Sequence, residues 1–469
     1  MIYTVATAAA LVAQSGSAGD ICLLSDTLLG GIFVLKSGTI TPDNGITASS
    51  PSPNLYWQRI FQGEIQASWY GAIPGARIDF PGGVATISGT DASLAINNAT
   101  RALMPYPAGD LYSTIKRKIK LNNGDYVINN PVYVRKGQHL QGEGFGATVL
   151  IGYFTNLAEK NHILLGMKLN ADNTTGPVDD GSVGLTPEIS AFAFSGTQAN
   201  RCIVYSNVQG CNIHDIWFLN VWQGINLGPV AGDTFVHSCT FDQPSRECIL
   251  ISGFNTLVSN CIFYRLVFGI LIRGGDSTYV GSNDIQISNC KFEFNRQAGT
   301  LSGTEDRFAI KLGFGDRINN VLISNCIFTY YDSNPLQNSV INLEAFNTKN
   351  IKVIGCMFSN WSGYVIADNN FQAGTKTFGT YIENCNFDGN QSSGQYIKAV
   401  DNTGANNSKG ILLRSGEYHI YDCNFINISG APIILTGNQQ ITLYVANLTS
   451  AVSIQNSNTN PGTIIRILS

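Results

Sequence analysis

Charge is scarce in this chain. Asp, Glu, Lys and Arg make up 13% of its 469 residues, about half the ~25% of an average domain. The net charge is −4 and the isoelectric point about 5.7. No basic face is announced, which argues against a nucleic-acid partner. Long apolar runs are also missing. The longest, LVFGILI at 266–272, stops at Arg273, far short of the ~18 residues of a spanning helix, so no membrane insertion is expected. The Ala/Glu/Lys/Leu bias of a coiled coil is absent. No His/Cys set has zinc-ligand spacing. No P-loop, GxSxG or HExxH motif occurs, so neither metal nor cofactor is implied. The opening MIYTVATAAALVAQSGSAGD has an apolar centre but no Lys or Arg before it. It therefore fits a signal peptide poorly and predicts a short helix from Val5 to Ala13. What remains is 44% hydrophobic residues with 49 glycines, above the usual ~7%, in a chain rich in Asn and Ser. That composition fits turn-rich β architecture.

An internal repeat gives the architecture. TFVHSCTF (234–241), TLVSNCIF (256–263), IQISNCKF (285–292), VLISNCIF (321–328), IKVIGCMF (351–358), TYIENCNF (380–387) and YHIYDCNF (418–425) align on Cys239, Cys261, Cys290, Cys326, Cys356, Cys385 and Cys423. Degenerate copies stand at ISAFAF (189–194), IHDIWF (213–218) and LYVANLTS (443–450). Roughly ten units run from about 185 to 465. The period inside each is two, so they are strands. A second strand follows in most: GINL (224–227), CILI (248–251), GILI (269–272), AIKL (309–312), VINL (340–343), YVIA (364–367), YIKA (396–399) and PIIL (432–435). Short strands at this period, with no helix and variable loops, describe coils of a parallel β-helix. The L-x-x-L-x-L-x-x-N spacing of leucine-rich repeats is missing.

In such a solenoid equivalent residues stack ~4.8 Å apart. Cys and Phe columns then fill the interior. Asn260, Asn289, Asn325 and Asn384 form an amide column at a turn. Stacked parallel cysteines have poor disulfide geometry, so the ladder thiols, and with them most of the 11 cysteines, read as reduced packing groups.

The segments before the repeats carry a resemblance. GGIFVLKSGTITPDNGITASSPSPNLYWQRIF (30–61) and IQASWYGAIPG (65–75) resemble the lead-in of bacteriophage tailspikes and capsule depolymerases. GTDASLAINNATRAL (89–103) is similar to that family's capping helix, and IKLNNGDYVINNPVYVRKGQHLQGEGFGATVL (119–150) to its first coils. The GEGFG within the latter reads as a coil corner rather than a nucleotide loop. The family's acidic run before the helix is replaced by GARIDFPGGVATISGTD (75–91), keeping only Asp91. The resemblance implies an all-β chain: a right-handed, pectate-lyase-like parallel β-helix of about ten or more coils, with a small N-terminal β domain and a capping helix. The expected organisation is an adaptor domain over 1–66, connector and cap over 67–118, and the β-helix with its substrate groove over 119–465, with no sizeable C-terminal module. The resemblance further implies a homotrimer made in the bacterial cytoplasm and carried on the virion tail. Its N-terminus would meet the tail or an adaptor protein, and it would act outside the host cell on a capsular or O-antigen polysaccharide.

Glycoside cleavage requires two carboxylates, ~5 Å apart for retention or ~6.5–9.5 Å for inversion. The coil register offers two places. The outward position after the ladder Phe reads Asp242, Tyr264, Glu293, Thr329, Ser359, and Asp242 and Glu293 are two coils, ~9.6 Å, apart. Glu247, Arg246, His237, Arg265 and Arg296 lie near in register, with Trp217 and Trp222 about one coil away. Aromatic rings suit sugar faces. The end of the second strand reads Arg273, Gly313, Glu344, Asp368, with Asp401 one position on. Stacked Glu344 and Asp368 would push one pKa up, as an acid–base pair needs. Either column can equally be a solvated face with ordinary ion pairs. Glu305 and Asp306 lie in a polar insertion that could reach the first groove. Three functions fit: endo-glycosidic hydrolysis, lyase action on a uronate with Arg265, Lys291 or His237 as base, and a fibre that binds without cleaving.

Overall fold

The computed structural model describes all residues except 80–85, 103–116, 135–136, 154–160, 166–167, 170–174, 177–186, 196–200, 206–208, 229–230, 275–281, 295–307, 314–316, 331–338, 345–347, 362, 369–377, 390–407, 429, 449–451 and 469. The chain divides into two compact units, Met1–Ile203 and Val204–Ser469.

The first unit opens with a five-stranded sheet built from Ile2–Val5, Ile21–Leu24, Gly31–Ser37, Leu55–Ile60 and Thr47–Ser49, in that spatial order. Its core is Leu11, Cys22, Leu24, Phe33, Leu35, Ala48 and Trp57. The expected N-terminal helix starts later, at Ala8, because Ile2–Val5 pairs with Ile21–Leu24 and Thr7 caps the helix through Ala10 N. Arg59 is buried beneath this sheet. Its guanidinium donates to the carbonyls of Gly45, Gly30 and Leu29, and desolvation lowers its pKa to about 10.

The same unit contains the first parallel coils. Glu64–Gln66 pairs with Arg117–Lys120, which pairs with Gln138–Gln141. Gly124–Ile128 pairs with Thr148–Gly152. The capping helix is Ser93–Arg101, whose Ala95, Ile96 and Ala99 are buried. Asp91, the one acid kept from the family's run, is structural here. Its Oδ1 accepts from Ser93 N, Ser93 Oγ and Asn129 N, tying the helix start to the coil. Asn97 repeats the tie one turn on, donating to Pro131 O and accepting from Tyr133 N.

The second unit is a regular parallel β-helix. From Gly232 to Leu435 the coils repeat a long strand, a bend, a short strand and, after a corner, a strand of a separate parallel sheet. The aligned copies stack as the repeat requires: Phe218, Phe241, Phe263 and Phe292 fall in one column, as do Val236, Val258, Ile287, Ile323 and Val353. Eight phenylalanines from Phe218 to Phe425 stack at 4.4–4.9 Å between ring centroids. All 11 cysteines are free and buried. Contact with the neighbouring ladder thiol, together with burial, pushes Cys326 and Cys356 up to about 12.

The asparagine column has a conformational cause. Asn260, Asn289, Asn325 and Asn384 lie at φ 52–53°, in the left-handed region, with Ser238, Gly355, Asp422 and Asn447 in the other coils. Asn tolerates this conformation better than most side-chain-bearing residues. A second left-handed column lies at the start of the long strand: Asp233, Asn255, Asp284, Asn320 and Asn350. There Asn255 bonds Asp233, Asn320 bonds Asp284 at 2.8 Å, and Asn350 bonds Asn320 at 2.9 Å.

One expected strand is misplaced. In the coil after Cys385 the second-sheet position is filled by Ser408–Leu413, which pairs with Gly363–Asp368 and then Ile433–Leu435. The sequence YIKA at 396–399 lies outside the described residues.

Candidate functional site

Asp242, Tyr264, Glu293, Thr329 and Ser359 stack in one column on the short strands, as their spacing predicts. Alternation puts them on the opposite side from the buried Phe ladder. Trp217 pairs with Thr240 on the same strands, two positions before the column, and is half-buried.

Each acid in this column has a cation. Arg265 makes a two-pronged contact with Asp242 (Nε–Oδ1 2.6 Å, Nη2–Oδ2 2.5 Å). The arginine sits at φ 51° in a corner position held by Asn220, Gln243, Asn360 and Asn427 in other coils. A long side chain gains nothing from that backbone region, so the guanidinium clamp is the physical reason for an arginine there. Asp242 is only 8% exposed, and its carboxylate in turn holds Arg265 above its ordinary pKa. Glu293 pairs with Lys291 on its own strand.

The corner that follows Asp242 carries a second cluster. Glu247 is 7% exposed. Gln223, in the preceding coil, donates to its Oε2 at 3.0 Å, and Arg246 Nη2 lies 3.3 Å from its Oε1. The Arg246 guanidinium lies over the Trp222 ring at 5.2 Å. Ser245 N and Arg246 N donate to the carbonyls of Val221 and Trp222, fixing the corner. Gln223 was not foreseen. Only the pairing of Ile225 with Ile249, which sets Gln223 opposite Glu247, reveals it.

The second acid pair does not form. Leu343, not Glu344, pairs with Asp368. This one-residue shift turns the side chain to the other face. Asp368 is 0% exposed. Its Oδ2 accepts from Arg414 N (3.3 Å), Ser415 N (2.8 Å), Ser415 Oγ (3.1 Å) and Tyr418 Oη (2.9 Å). Glu344 instead pairs with Lys311, a lysine 4% exposed on the adjacent coil. Both acids are therefore structural partners rather than a stacked acid–base pair.

Two remaining expectations separate from the column. His237 belongs to the long strand, on the far side of the Ser238 bend. Its ring stacks on His214 at 4.8 Å, and its Nε2 lies 3.1 Å from Asn212 Oδ1. Arg273 ends a strand of the other sheet, paired with Gly313. Arg296, Glu305, Asp306 and Asp401 lie outside the described residues.

No protein-family model and no curated protein sequence matches the chain. Solved structures do. The tailspike of Acinetobacter phage vb_AbaP_AS12 aligns with a TM-score of 0.57 at 12% identity, over 98% of this chain and 75% of that one. The enzymatically active domain of tailspike protein 2 of bacteriophage CBA120 gives 0.53 at 13%, over 98% and 61%. The Agl-KA catalytic domain gives 0.52 at 12%, over 90% and 73%. The chain thus spans 61% of the length of the CBA120 domain. At these identities the likeness is one of fold: a parallel β-helix of the kind found in phage tailspikes.

Proposed function

We propose that this protein is a tailspike-type depolymerase that binds a bacterial surface polysaccharide, capsule or O-antigen, and hydrolyses it internally. The observation that carries this reading is the Asp242–Tyr264–Glu293 column. It places two carboxylates on the outward face two coil rises apart, ~9.6 Å, close to the span of an inverting pair. Trp217, and Trp222 beneath Arg246, supply aromatic surface nearby. In this assignment Asp242, oriented by the two prongs of Arg265, is the base that activates water. Glu293 is the acid that protonates the leaving oxygen once substrate displaces Lys291. Glu247 orients the corner. The polysaccharide partner, homotrimeric assembly and attachment to the virion tail through the N-terminal domain complete the proposal. The likeness in fold to tailspikes and to a catalytic domain supports it. Lyase action from this groove is disfavoured because two of its candidate bases, Arg265 and Lys291, are each paired with a carboxylate, and the third, His237, lies on the long strand beyond the Ser238 bend, against His214 and Asn212.

The test is size-exclusion chromatography of purified capsules and O-antigens after incubation with the protein. At least one glycan is expected to shorten without gaining the ultraviolet absorbance of an unsaturated product. Asp242→Asn and Glu293→Gln should each lower the rate at least a hundredfold, in the range of a lost general acid or base. Shortening unaffected by both changes would refute the site. No shortening of any glycan would refute the enzyme and leave a binding fibre.

A further inference from the structure

The last coils present a second outward face that the groove above does not use. On successive long strands one column reads Lys352, Tyr381, His419, Tyr444 and Arg466. In earlier coils the same column is Phe235, Leu257, Gln286 and Leu322. Its chemistry therefore changes from mainly apolar to aromatic and polar at Lys352. Tyr381 stacks on His419 at 4.5 Å, and His419 on Tyr444 at 4.7 Å, with interplanar angles of 11° and 6°. Lys352 lies over the outer face of Tyr381 and Arg466 over that of Tyr444, at 5.7 and 5.6 Å. The stack is closed at both ends by cations, so what it turns outward is ring edges and hydroxyls.

A polar row crosses this column at its centre. Glu417, His419 and Tyr421 alternate along the strand Gly416–Tyr421. His419 Nε2 lies 2.7 Å from Glu417 Oε1, and Nδ1 lies 2.8 Å from Tyr421 Oη. Both ring nitrogens are engaged, so the imidazole cannot swing and the three polar groups are held in place. Glu383 pairs with Tyr421 from the neighbouring coil. Burial, with the nearby Tyr381 and Glu383, keeps Tyr421 above its ordinary pKa and hence a neutral hydroxyl. These groups are half-buried rather than covered.

We infer that this face is a second glycan-binding site, taking a hydroxyl-rich polysaccharide segment laid along the solenoid axis. The inference rests on the proposed glycan-directed function. Fixed carboxylates and phenols are the partners that vicinal sugar hydroxyls require. The column spans four coil rises, about 19 Å, and each rise is close to the length of one sugar residue in an extended chain. Glu383 and Glu417 at the centre select neutral sugars there. Acidic sugars are accepted only at the ends, beside Lys352 or Arg466. The site holds polymer and raises its local concentration; it does not cut.

The experiment uses the full-length Asp242→Asn/Glu293→Gln protein on an array of purified capsular and O-antigen polysaccharides. Adding Tyr381→Ala and Tyr444→Ala should weaken binding at least tenfold, with sedimentation and thermal midpoint unchanged. Tyr444→Phe, which keeps the ring and removes the hydroxyl, should fall between. Binding within twofold of the background protein overturns the inference, as does wild-type protein that binds no polysaccharide. A change in sedimentation also overturns it, because the face is then a contact with a second copy. Wild-type protein that binds through these tyrosines but shortens nothing removes the proposed hydrolysis and leaves this site standing. Shortening with ladder-independent binding does the reverse.

Discussion

Asp368 offers a sharp test of how the coil register assigns roles to acids. The spacing of the sequence makes it half of a catalytic pair, whereas the structure makes it a buried acceptor for four donors around Arg414–Tyr418. Asp368→Ala removes the acceptor. It strands Ser415 N beside two hydroxyls in a pocket where Ser415 is 1% and Tyr418 0% exposed. Each buried donor left unpaired costs ~1–3 kcal/mol. With part of the hydroxyl cost recovered by rotation, the loss is about 3–5 kcal/mol. Asp368→Asn keeps one oxygen acceptor and loses the charge assistance, so about 2 kcal/mol is expected. At ~2 °C per kcal/mol for a unit of this size, the thermal midpoints fall by about 6–10 °C and 4 °C. The assay is thermal unfolding beside glycan shortening measured 20 °C or so below the lower midpoint. Both variants should then retain the wild-type rate per folded molecule. A stable Asp368→Asn protein with no activity would refute the reasoning, and so would an Asp368→Ala protein destabilised by less than 1 kcal/mol.

Other consequences are open to direct measurement. Asn325 lies at φ 53°, so Asn325→Ala should cost about 1 kcal/mol in urea unfolding, whereas Asn325→Gly should be near neutral. Phe292→Ala opens a cavity and breaks two ring stacks, so a loss of about 4–6 kcal/mol is expected, read from the same urea midpoints. With all 11 cysteines buried, native protein should resist a thiol-labelling reagent until it unfolds; fast labelling of a ladder cysteine at neutral pH would contradict the packing. Lys118 holds the Glu64 carboxyl below its ordinary pKa. The pair's contribution is thus present above the unfolded carboxylate pKa and lost as pH falls through the folded one. Glu64→Gln should flatten the acid limb of the stability profile below about pH 5.

What could be read from the sequence was set by the repeat. A Cys and a Phe recurring in one frame fix which residues share a column, and the Asp242–Tyr264–Glu293 stack followed from that frame alone. Register fails where the chain leaves the frame. The segment from Leu343 to Asp368 contains a loop of unpatterned residues, and counting across it misplaced Asp368 by one, enough to exchange solvent for core. The second strand after Cys385 went astray for the same reason, because YIKA and SKGILL both fit the apolar pattern. Ion pairs were hidden for a different cause. Arg265 and Lys291 were visible as charges, but whether a cation clamps an acid or serves as a base is decided by side-chain geometry.

The scarcity of charge now has a mechanical explanation. Every outward position on a coil has like positions ~4.8 Å above and below it, and an unpaired charge there would face its copies along the column. The acids of the two candidate columns and their corner follow this constraint: Asp242, Glu247, Glu293 and Glu344 each meet a cation, and Asp368 meets a nest of donors, while Asp233, Asp284 and Asp388 each accept from an asparagine amide. Pairing is thus the ordinary state of an acid on this solenoid and marks no residue as catalytic by itself. What distinguishes Asp242 is the arginine placed at a strained corner to hold it. Arg265→Asn relaxes the backbone by returning the corner residue of other coils, and so should leave stability within about 1 kcal/mol of wild type. It also unties the Asp242 carboxylate from the orientation that the two prongs fix. If Asp242 is the base, the rate of glycan shortening per folded molecule should fall about tenfold or more in this variant. An unchanged rate at unchanged stability would make the clamp, and the acid it holds, purely structural.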